Sequence, residues 1–448
     1  MPPNILVILT DQQRHDTLSA LTNNFGAHTP AMDSLVNRGT SFTSAYCTSP
    51  ICGPSRGSIM TGLFPTQNGV YANLGNPCGP LNEALDTVGD HMQRQGYETA
   101  YHGKWHLGGN VGGYGFEFAE ECSHDPTTVN LAARYWRDRD WLNRRRPFFH
   151  VVSLMNPHDI YFLEPGETRP AELPRWPNQD DDLATKPWPQ RRGPHAQPWA
   201  DERWEYYRQF YRDKLEKVDA QIAELLDELT CSGFAPNTFV ILASDHGDMA
   251  GEHGLPFKGP YLYDGVTRVP LVIAPPRHAM LGSSRCDGQW KNYQPRTCDA
   301  LVSLIDILPT ALDIATPTTA ATAAAPDLPG VSLMPAVRGE RFAGHDAVVA
   351  EWHSAGKVRT PARMVRDRRY KYTHYIGVGE ELYDLDHDPA ELVNLAHPDH
   401  EDPHHREALE RLRQRLAEHC QATGDGFFDL MPSDPPPART AGDKVTQR

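Results

Sequence analysis

The chain has 448 residues, of which 39% are hydrophobic and 23% charged, a composition typical of a globular protein with a large core. Its net charge of −15 and the lack of a basic run argue against a nucleic-acid-binding protein. No apolar run approaches the roughly 20 residues of a membrane-spanning helix, and the amino terminus has no signal-peptide pattern. The eight cysteines are scattered, which argues against a disulfide framework. We therefore expect a cytoplasmic protein with no membrane or nucleic-acid partner.

Five short apolar runs predict strands, with helical patterns between them. The run 4–10 (NILVILT) is nearly continuous, as in a strand covered on both faces of a parallel sheet. Segment 201–230 carries one apolar stripe at three- and four-residue spacing, which predicts a long amphipathic helix. Alternating strands and helices predict an α/β fold with a large, mixed, mostly parallel sheet flanked by helices. The other predicted strands are 96–101, 147–154, 238–243 and 269–274.

The segment 160–199 is rich in proline, tryptophan and charge and shows no periodicity. It is too long for a plain connector, so we expect either an insertion near the active site, a surface excursion or a subunit contact. In the first case its aromatic and guanidinium groups would stack a sugar or aryl ring, or hold a second anion. These groups are Trp176, Trp188, Trp199, Arg191 and Arg192.

Composition divides the chain into two predicted parts. Residues 1–330 form a catalytic domain that ends in the linker-like segment 314–330. Residues 331–431 form a smaller α+β subdomain with a short antiparallel sheet, from β-like segments within 347–376 and an amphipathic helix over 404–420. The tail 432–448 is either a mobile end or an arm that reaches a second subunit of a homo-oligomer.

Reactive side chains follow four of the predicted strands. Asp11 ends the first, Lys104 and His106 follow the second, His158 follows the third, and Asp245 and His246 follow the fourth. Each alone is typical of a turn or a helix cap. Together they indicate a site, because ligands bind outside the carboxyl ends of strands in open α/β sheets.

Part of this set suits a divalent cation. Asp11 and Asp245 supply carboxylates, Gln12 a carbonyl oxygen and His246 an imidazole. A mostly oxygen donor set favours Ca²⁺, Mg²⁺ or Mn²⁺ over zinc, which prefers thiolates and clustered imidazoles.

The stretch 49-SPICGPSRGSIMTG-62 places Cys52 before a Gly-Pro-Ser-Arg turn. Pro54 suits the first turn of a helix, and a helix amino terminus attracts anions. Arg56 adds a planar guanidinium that matches sulfate or phosphate oxygens. The alternative is a buried, inert cysteine, which is the common fate of a free thiol.

At these residues the chain resembles the formylglycine-dependent sulfatases of the alkaline phosphatase superfamily. The string C-x-P-S-R followed by Met-Thr-Gly resembles the sulfatase signature, in which the cysteine is oxidised to formylglycine. Further blocks similar to the family are 4–13, 29–46, 102–108, 156–158, 244–259 and 381–396. The resemblance implies an alkaline-phosphatase-like fold, a formylglycine-generating enzyme as maturation partner, and hydrolysis of a small-molecule or saccharide sulfate ester.

The resemblance also implies a role for each matching residue. Cys52, as formylglycine hydrate, would bind the metal with one hydroxyl and attack sulfur with the other. Arg56 would hold this group, and His106 would take the proton of the remaining hydroxyl when sulfate leaves. His158 and Lys258 would protonate the leaving oxygen. Metal ligands would be Asp11, Gln12, Asp245 and His246, with Ca²⁺ the expected ion; substrate contacts would be Lys104, Lys258 and Asn73.

Three positions depart from the common family pattern. Gln12 stands where many members have Asp, His246 where some have Asn, and Leu63 where the oxidation signal often has Arg. The first two also occur in choline sulfatases and phosphonate monoester hydrolases. The leading hypothesis is therefore a sulfuric ester hydrolase. The alternatives are a phosphonate monoester or phosphodiester hydrolase, and a non-catalytic metal- or anion-binding protein.

Overall fold

The structure is a computed structural model that describes most of the chain. The described residues are 2–22, 24–75, 78–142, 146–163, 175–192, 199–276, 293–316, 328–353, 360–400 and 402–430. The strands are β1 (Asn4–Asp11), β2 (Thr40–Phe42), β3 (Ala45–Tyr46), β4 (Glu98–Gly103), β5 (Phe118–Glu121), β6 (Phe148–Pro157), β7 (Thr238–Ser244), β8 (Leu271–Ala274), β9 (Arg296–Cys298), β10 (Val302–Ser303), β11 (Val348–Trp352), β12 (Ala362–Arg366), β13 (Tyr370–Tyr375) and β14 (Gly379–Asp384). The helices are α1 (Pro30–Val36), α2 (Cys52–Thr61), α3 (Pro65–Asn68), α4 (Val88–Arg94), α5 (Asp125–Leu142), α6 (Trp188–Arg192), α7 (Asp201–Cys231), α8 (Asp264–Thr267), α9 (Ile307–Ala315), α10 (Met334–Arg338) and α11 (Pro403–Thr423). The predicted tail 432–448 and most of the predicted linker 314–330 lie outside the described residues.

An eight-stranded sheet forms the centre, in the order β5-β4-β6-β1-β7-β8-β2-β9. Its first five strands run parallel, β8 runs antiparallel to both β7 and β2, and β2 is parallel to β9. The predicted mixed, mostly parallel sheet is confirmed. In the described part of the chain, every helix is too short or too polar to cross a membrane.

Both faces of the central sheet are covered, which explains why β1 is apolar at every position from Ile5 to Leu9. Ile5, Val7 and Leu9 point to a core shared with α2, α4 and α9. Leu6 and Ile8 point to the opposite core, shared with α1, α5 and α7. Alternate residues of a strand face opposite sides, so a strand between two helical layers needs apolar side chains at every position.

A second sheet, of four antiparallel strands in the order β11-β12-β13-β14, confirms the predicted α+β part. Helix α11 covers one face, with Leu412 and Leu416 in that core. The other face packs against Ile51, the residue before Cys52. The Glu351 backbone N–H also donates to the Thr48 carbonyl at 2.7 Å. The small sheet therefore supports the chain where it enters α2.

Of the three alternatives for segment 160–199, the structure argues against a ligand contact at two of the tryptophans. Trp176 is 8% exposed, and its indole N–H donates to the Ala250 carbonyl at 2.8 Å. Trp188 is also buried. Trp199 stacks on Trp204 with ring centroids 4.4 Å apart. The rings of Trp176 and Trp199 pack against residues of α7, where burial of a large aromatic ring is favourable. Arg191 is exposed, and the Arg192 side chain lies outside the described set.

Candidate active site

Four parallel strands of the central sheet end at one rim and deliver the predicted side chains there. Asp11 is the last residue of β1, and Asp245 follows β7 directly. Lys104 follows β4, and His158 follows β6. The strand order β4-β6-β1-β7 makes these ends neighbours, as expected for a ligand crevice at the carboxyl edge of a parallel sheet.

Helix α2 presents Cys52 to this rim as its first residue, 1% exposed. The next residue, Gly53, lies so close to segment 72–73 that a Cβ there would sit 3.1 Å from the Asn73 amide oxygen and 3.2 Å from the Ala72 carbonyl oxygen. The Gly53 N–H donates to the Asn73 side-chain oxygen at 2.9 Å. The structure thus gives Asn73, predicted as a substrate contact, a hydrogen bond to an N–H in the first turn of α2.

Four possible ligand atoms converge at the rim, from Asp11, Cys52, Asp245 and His246, all within 4.8 Å of one another and all buried. The Cys52 sulfur lies 3.2 Å from His246 Nε2. His246 Nδ1 lies 2.8 Å from the Gly247 carbonyl oxygen, so this nitrogen carries the proton and Nε2 turns its lone pair to the cluster. Two carboxylates and an imidazole fit a divalent cation.

The Lys258 ammonium lies among these possible ligand atoms. Its Nζ is 2.9 Å from the Gln12 side-chain oxygen, 2.9 Å from the Cys52 sulfur and 2.9 Å from His246 Nε2. Three acceptors therefore converge on one positive charge, which is the arrangement a cation site requires. Gln12, the oxygen donor predicted from sequence, faces the same point. On these observations the residues fit the expected ion.

Arg56 forms hydrogen bonds with the carboxylates of both Asp11 and Asp245. Its guanidinium donates to Asp245 Oδ2 at 2.8 Å and to Asp11 Oδ2 at 2.9 Å. It also donates to the Lys104 carbonyl and the Ser153 hydroxyl, each at 2.7 Å. Arg56 is 1% exposed, so these bonds form away from water and are stronger than surface pairs.

Positive charge lowers the pKa values of Asp11 and Cys52. Burial and the Cys52 side chain each raise the pKa of Asp11, but Lys104, with Nζ 2.6 Å from Asp11, and Arg56 outweigh them and hold that pKa well below its usual range. Burial likewise raises the pKa of the Cys52 thiol, yet Lys104 and Lys258 lower it well below its ordinary value. The positive charge of Lys104, Lys258 and Arg56 beside Asp11 and Cys52 suits a sulfate or phosphate group.

Two imidazoles complete the rim. His106 helps to lower the pKa of the Cys52 thiol and has a left-handed backbone, with φ of +64°. His158 begins a 3₁₀ turn that ends at Phe162. The Nδ1 atoms of both rings are buried and have no hydrogen-bond partner among the described residues. Each ring therefore has hydrogen-bonding capacity that the described part of the chain does not use.

Three residues at the site were not predicted. Tyr161 is 40% exposed, with its ring 5.0 Å from His158 and stacked at 4.4 Å on Phe257. Residues three apart align in a 3₁₀ turn, so the spacing from His158 was the available signal. Asp248 is fully buried behind Gln12. Tyr207 belongs to the apolar stripe of α7, and nothing in the sequence separates it from a core residue.

The chain matches known proteins along most of its length. A sequence model of the family described as sulfatase matches residues 3–317. The chain belongs to the sulfatase family. A second model, described as N-sulphoglucosamine sulphohydrolase, C-terminal, matches residues 251–422 of this sulfatase.

Several curated relatives cover nearly the whole sulfatase. A Delta 4,5-hexuronate-2-O-sulfatase of Bacteroides thetaiotaomicron is 31% identical over 96% of this chain and 91% of that protein. A choline-sulfatase of Rhizobium meliloti is 28% identical over 88% of this chain and 82% of that protein. The protein is thus a sulfuric ester hydrolase.

Solved structures agree on the fold. A 2-O GAG sulfatase superposes with a TM-score of 0.83 at 29% identity, covering 97% of this chain and 96% of that one. A phosphonate monoester hydrolase of Agrobacterium radiobacter superposes with a TM-score of 0.75 at 22% identity, covering 94% and 96%. The second match bears on the fold alone.

Proposed function

We propose that this sulfatase hydrolyses sulfate monoesters of saccharides, using a formylglycine hydrate made from Cys52 as nucleophile and one divalent cation, Ca²⁺. The products are inorganic sulfate and an alcohol. The observation that carries the proposal is the convergence of buried ligand atoms and cationic side chains on the Cys52 sulfur. A formylglycine-generating enzyme would supply the modification during maturation.

The cation site would be formed by Asp11, Gln12, Asp245, His246 and the modified residue 52. A bound cation would act as a Lewis acid, neutralising charge on the sulfate oxygens and easing ionisation of a nearby hydroxyl. Lys104 and Lys258 would hold the remaining sulfate oxygens, because fixed positive charge in a buried site stabilises charge where it develops.

The first step joins the enzyme to the sulfuryl group. One hydroxyl of the hydrate at position 52 would ionise and give its proton to water. Its oxygen would attack sulfur, and the bond from sulfur to the ester oxygen would break. His158, with Lys258, protonates that oxygen as it leaves, which contributes on the order of 10²–10⁴-fold to such reactions. Arg56 keeps position 52 and both carboxylates in place through its four hydrogen bonds.

The second step releases sulfate. His106, which helps to lower the pKa of Cys52, would take the proton of the remaining hydroxyl. The electron pair of that O–H bond forms the aldehyde C=O, and the bond from carbon to the sulfate oxygen breaks. Sulfate leaves without water attacking sulfur, and water then rehydrates the aldehyde. A serine has one hydroxyl and lacks this route, which is a chemical reason for modifying Cys52.

A saccharide substrate is supported by two observations. The relatives above include a hexuronate sulfatase and a GAG sulfatase. In this chain, Tyr161 and Phe162 are 40% and 70% exposed, on the turn that carries His158. Exposed aromatic rings beside the leaving-group acid suit the apolar face of a sugar ring.

The test is sulfate release from a sulfated unsaturated uronate disaccharide, an aryl sulfate and choline sulfate, with a phosphonate monoester in parallel. Protein made with a formylglycine-generating enzyme should turn over the disaccharide fastest, and Cys52→Ala protein should not turn over any of them. Faster turnover of the phosphonate ester would favour the alternative, and faster turnover of choline sulfate would exclude the saccharide.

A further inference from the structure

Gln12 is held in an unusual backbone conformation. Its φ is +67°, in the left-handed region that disfavours residues with a Cβ. The surroundings hold it there: its N–H donates to Asp245 Oδ1 at 3.0 Å, and its carbonyl accepts from the Tyr211 hydroxyl at 2.6 Å. The direction of the side chain is therefore set by the fold.

The two ends of the Gln12 carboxamide meet opposite partners. Nε2 donates to Asp248 Oδ2 at 2.7 Å, and Oε1 accepts from the Lys258 ammonium at 2.9 Å. A carboxylate can only accept and an ammonium can only donate, so the amide has one orientation. Oxygen faces the cluster and nitrogen faces away from it.

Asp248 is built as an acceptor. Its carboxyl group accepts from Gln12 Nε2, from the Tyr207 hydroxyl at 2.9 Å and from the Ala250 N–H at 2.7 Å. All of these described partners are donors, and Asp248 is fully buried. Tyr207 and Tyr211 stand four residues apart on α7, so one helix face supports both Asp248 and Gln12.

We propose that Asp248 is a positioning residue that sets the Gln12 side-chain oxygen toward the cation site. This inference rests on the proposed function, because it takes the cation site as given. It also gives a reason for Gln rather than Asp at position 12. The longer amide side chain reaches both Lys258 and Asp248, and the negative charge lies on Asp248, behind Gln12, instead of on residue 12.

The proposal makes a specific demand on Asp248→Asn. The new residue has one oxygen, which the Ala250 N–H and the Tyr207 hydroxyl both require. Its NH₂ then faces Gln12, and Gln12 must turn its own NH₂ toward the cation site. The double variant Gln12→Glu with Asp248→Asn restores a donor–acceptor match and keeps an oxygen toward the site.

The experiment is calorimetric titration of Ca²⁺ into chelator-stripped protein, with Mn²⁺ in parallel. We expect Asp248→Asn to bind about 10–100-fold more weakly than the unaltered protein, the usual effect of removing a partner that orients a ligand. The double variant should recover at least about tenfold of that loss. Asp219→Asn is the matched control, since Asp219 is a buried carboxylate that accepts from the Ala31 and Met32 N–H groups; it should bind unchanged.

The outcomes separate the two proposals. If the unaltered protein binds neither ion, the cation site of the proposed function fails, and the inference fails with it. If it binds while Asp248→Asn binds equally well, or the double variant is no better than Asp248→Asn, only the positioning role is overturned. If Asp248→Asn does not fold, the double variant decides the question. A double variant that folds and binds Ca²⁺ supports the pairing of residues 12 and 248, and a double variant that does not fold or does not bind Ca²⁺ overturns it.

Discussion

Removing the Arg56 guanidinium should destabilise the protein far more than removing a surface arginine. Arg56→Ala deletes four hydrogen bonds and leaves the buried carboxylates of Asp11 and Asp245 without their shared partner. Breaking a buried ion pair from one side costs about 3–5 kcal/mol of the free energy of unfolding, because an uncompensated charge stays buried. Loss of the guanidinium also leaves Asp11 and Asp245, both proposed cation ligands, less stable as buried carboxylates.

Arg94 provides the matched control. It pairs with Asp86 at 2.8 Å, the distance of the Arg56–Asp245 pair, but its side chain is 51% exposed. Exposed pairs contribute only about 0.2–1 kcal/mol, so Arg94→Ala should shift the unfolding midpoint little. The shift of the unfolding midpoint for Arg56→Lys should lie between those for Arg56→Ala and Arg94→Ala, since one ammonium cannot bind both carboxylates as a guanidinium does.

The assay is urea unfolding followed by circular dichroism, in chelator so that cation binding does not contribute. Arg56→Ala should lower the midpoint most, then Arg56→Lys, then Arg94→Ala. Equal shifts for Arg56→Ala and Arg94→Ala would refute the reasoning, because burial is the feature that distinguishes the two pairs.

Three further predictions concern pH, release and the substrate. Burial raises the pKa of Glu351, but Arg363 and His353 outweigh it and lower that pKa from 4.5 to about 2. The resulting stabilisation of the fold, about 3 kcal/mol, is complete above pH 4.5 and is lost as the pH falls toward 2. The free energy of unfolding of Glu351→Gln should therefore depend less steeply on pH in this range. His106→Ala should give one burst of alcohol per formylglycine and then stall, with a sulfate adduct on position 52 visible by mass; steady turnover without an adduct would contradict its role in release. Tyr161→Ala should raise KM for a saccharide sulfate by about tenfold while leaving the Ki of inorganic sulfate unchanged, and Tyr161→Phe should retain the ring contact and the low KM; a parallel change in both constants would mean that Tyr161 shapes the sulfate pocket instead.

The rim was predictable from sequence because each contributing strand is covered on both faces. Continuous apolar runs such as 4–10 stand out, and the residue that breaks each run marks the carboxyl end of a strand. Parallel strands bring those ends together, so the convergence of Asp11 and Asp245 follows from topology alone.

The supporting residues were not predictable, because their roles depend on contacts between distant elements. Tyr207 has the spacing of a core residue of α7, and only its hydroxyl contact with Asp248 distinguishes it. Trp176 and Trp188 occur in a proline-rich segment without periodicity, so the sequence gives no sign that they are buried. Periodicity reports which face of an element is covered, and it carries no information about a side chain in an irregular segment.

The central claim, that residue 52 acts as formylglycine, is tested most directly by comparing turnover with conversion. Protein samples made with graded amounts of a formylglycine-generating enzyme would be digested, and the fraction of the peptide around position 52 that carries the aldehyde would be measured by mass. We predict that sulfate release rises linearly with that fraction and passes through zero when it is zero. Full turnover in samples that retain the Cys52 thiol would contradict the mechanism.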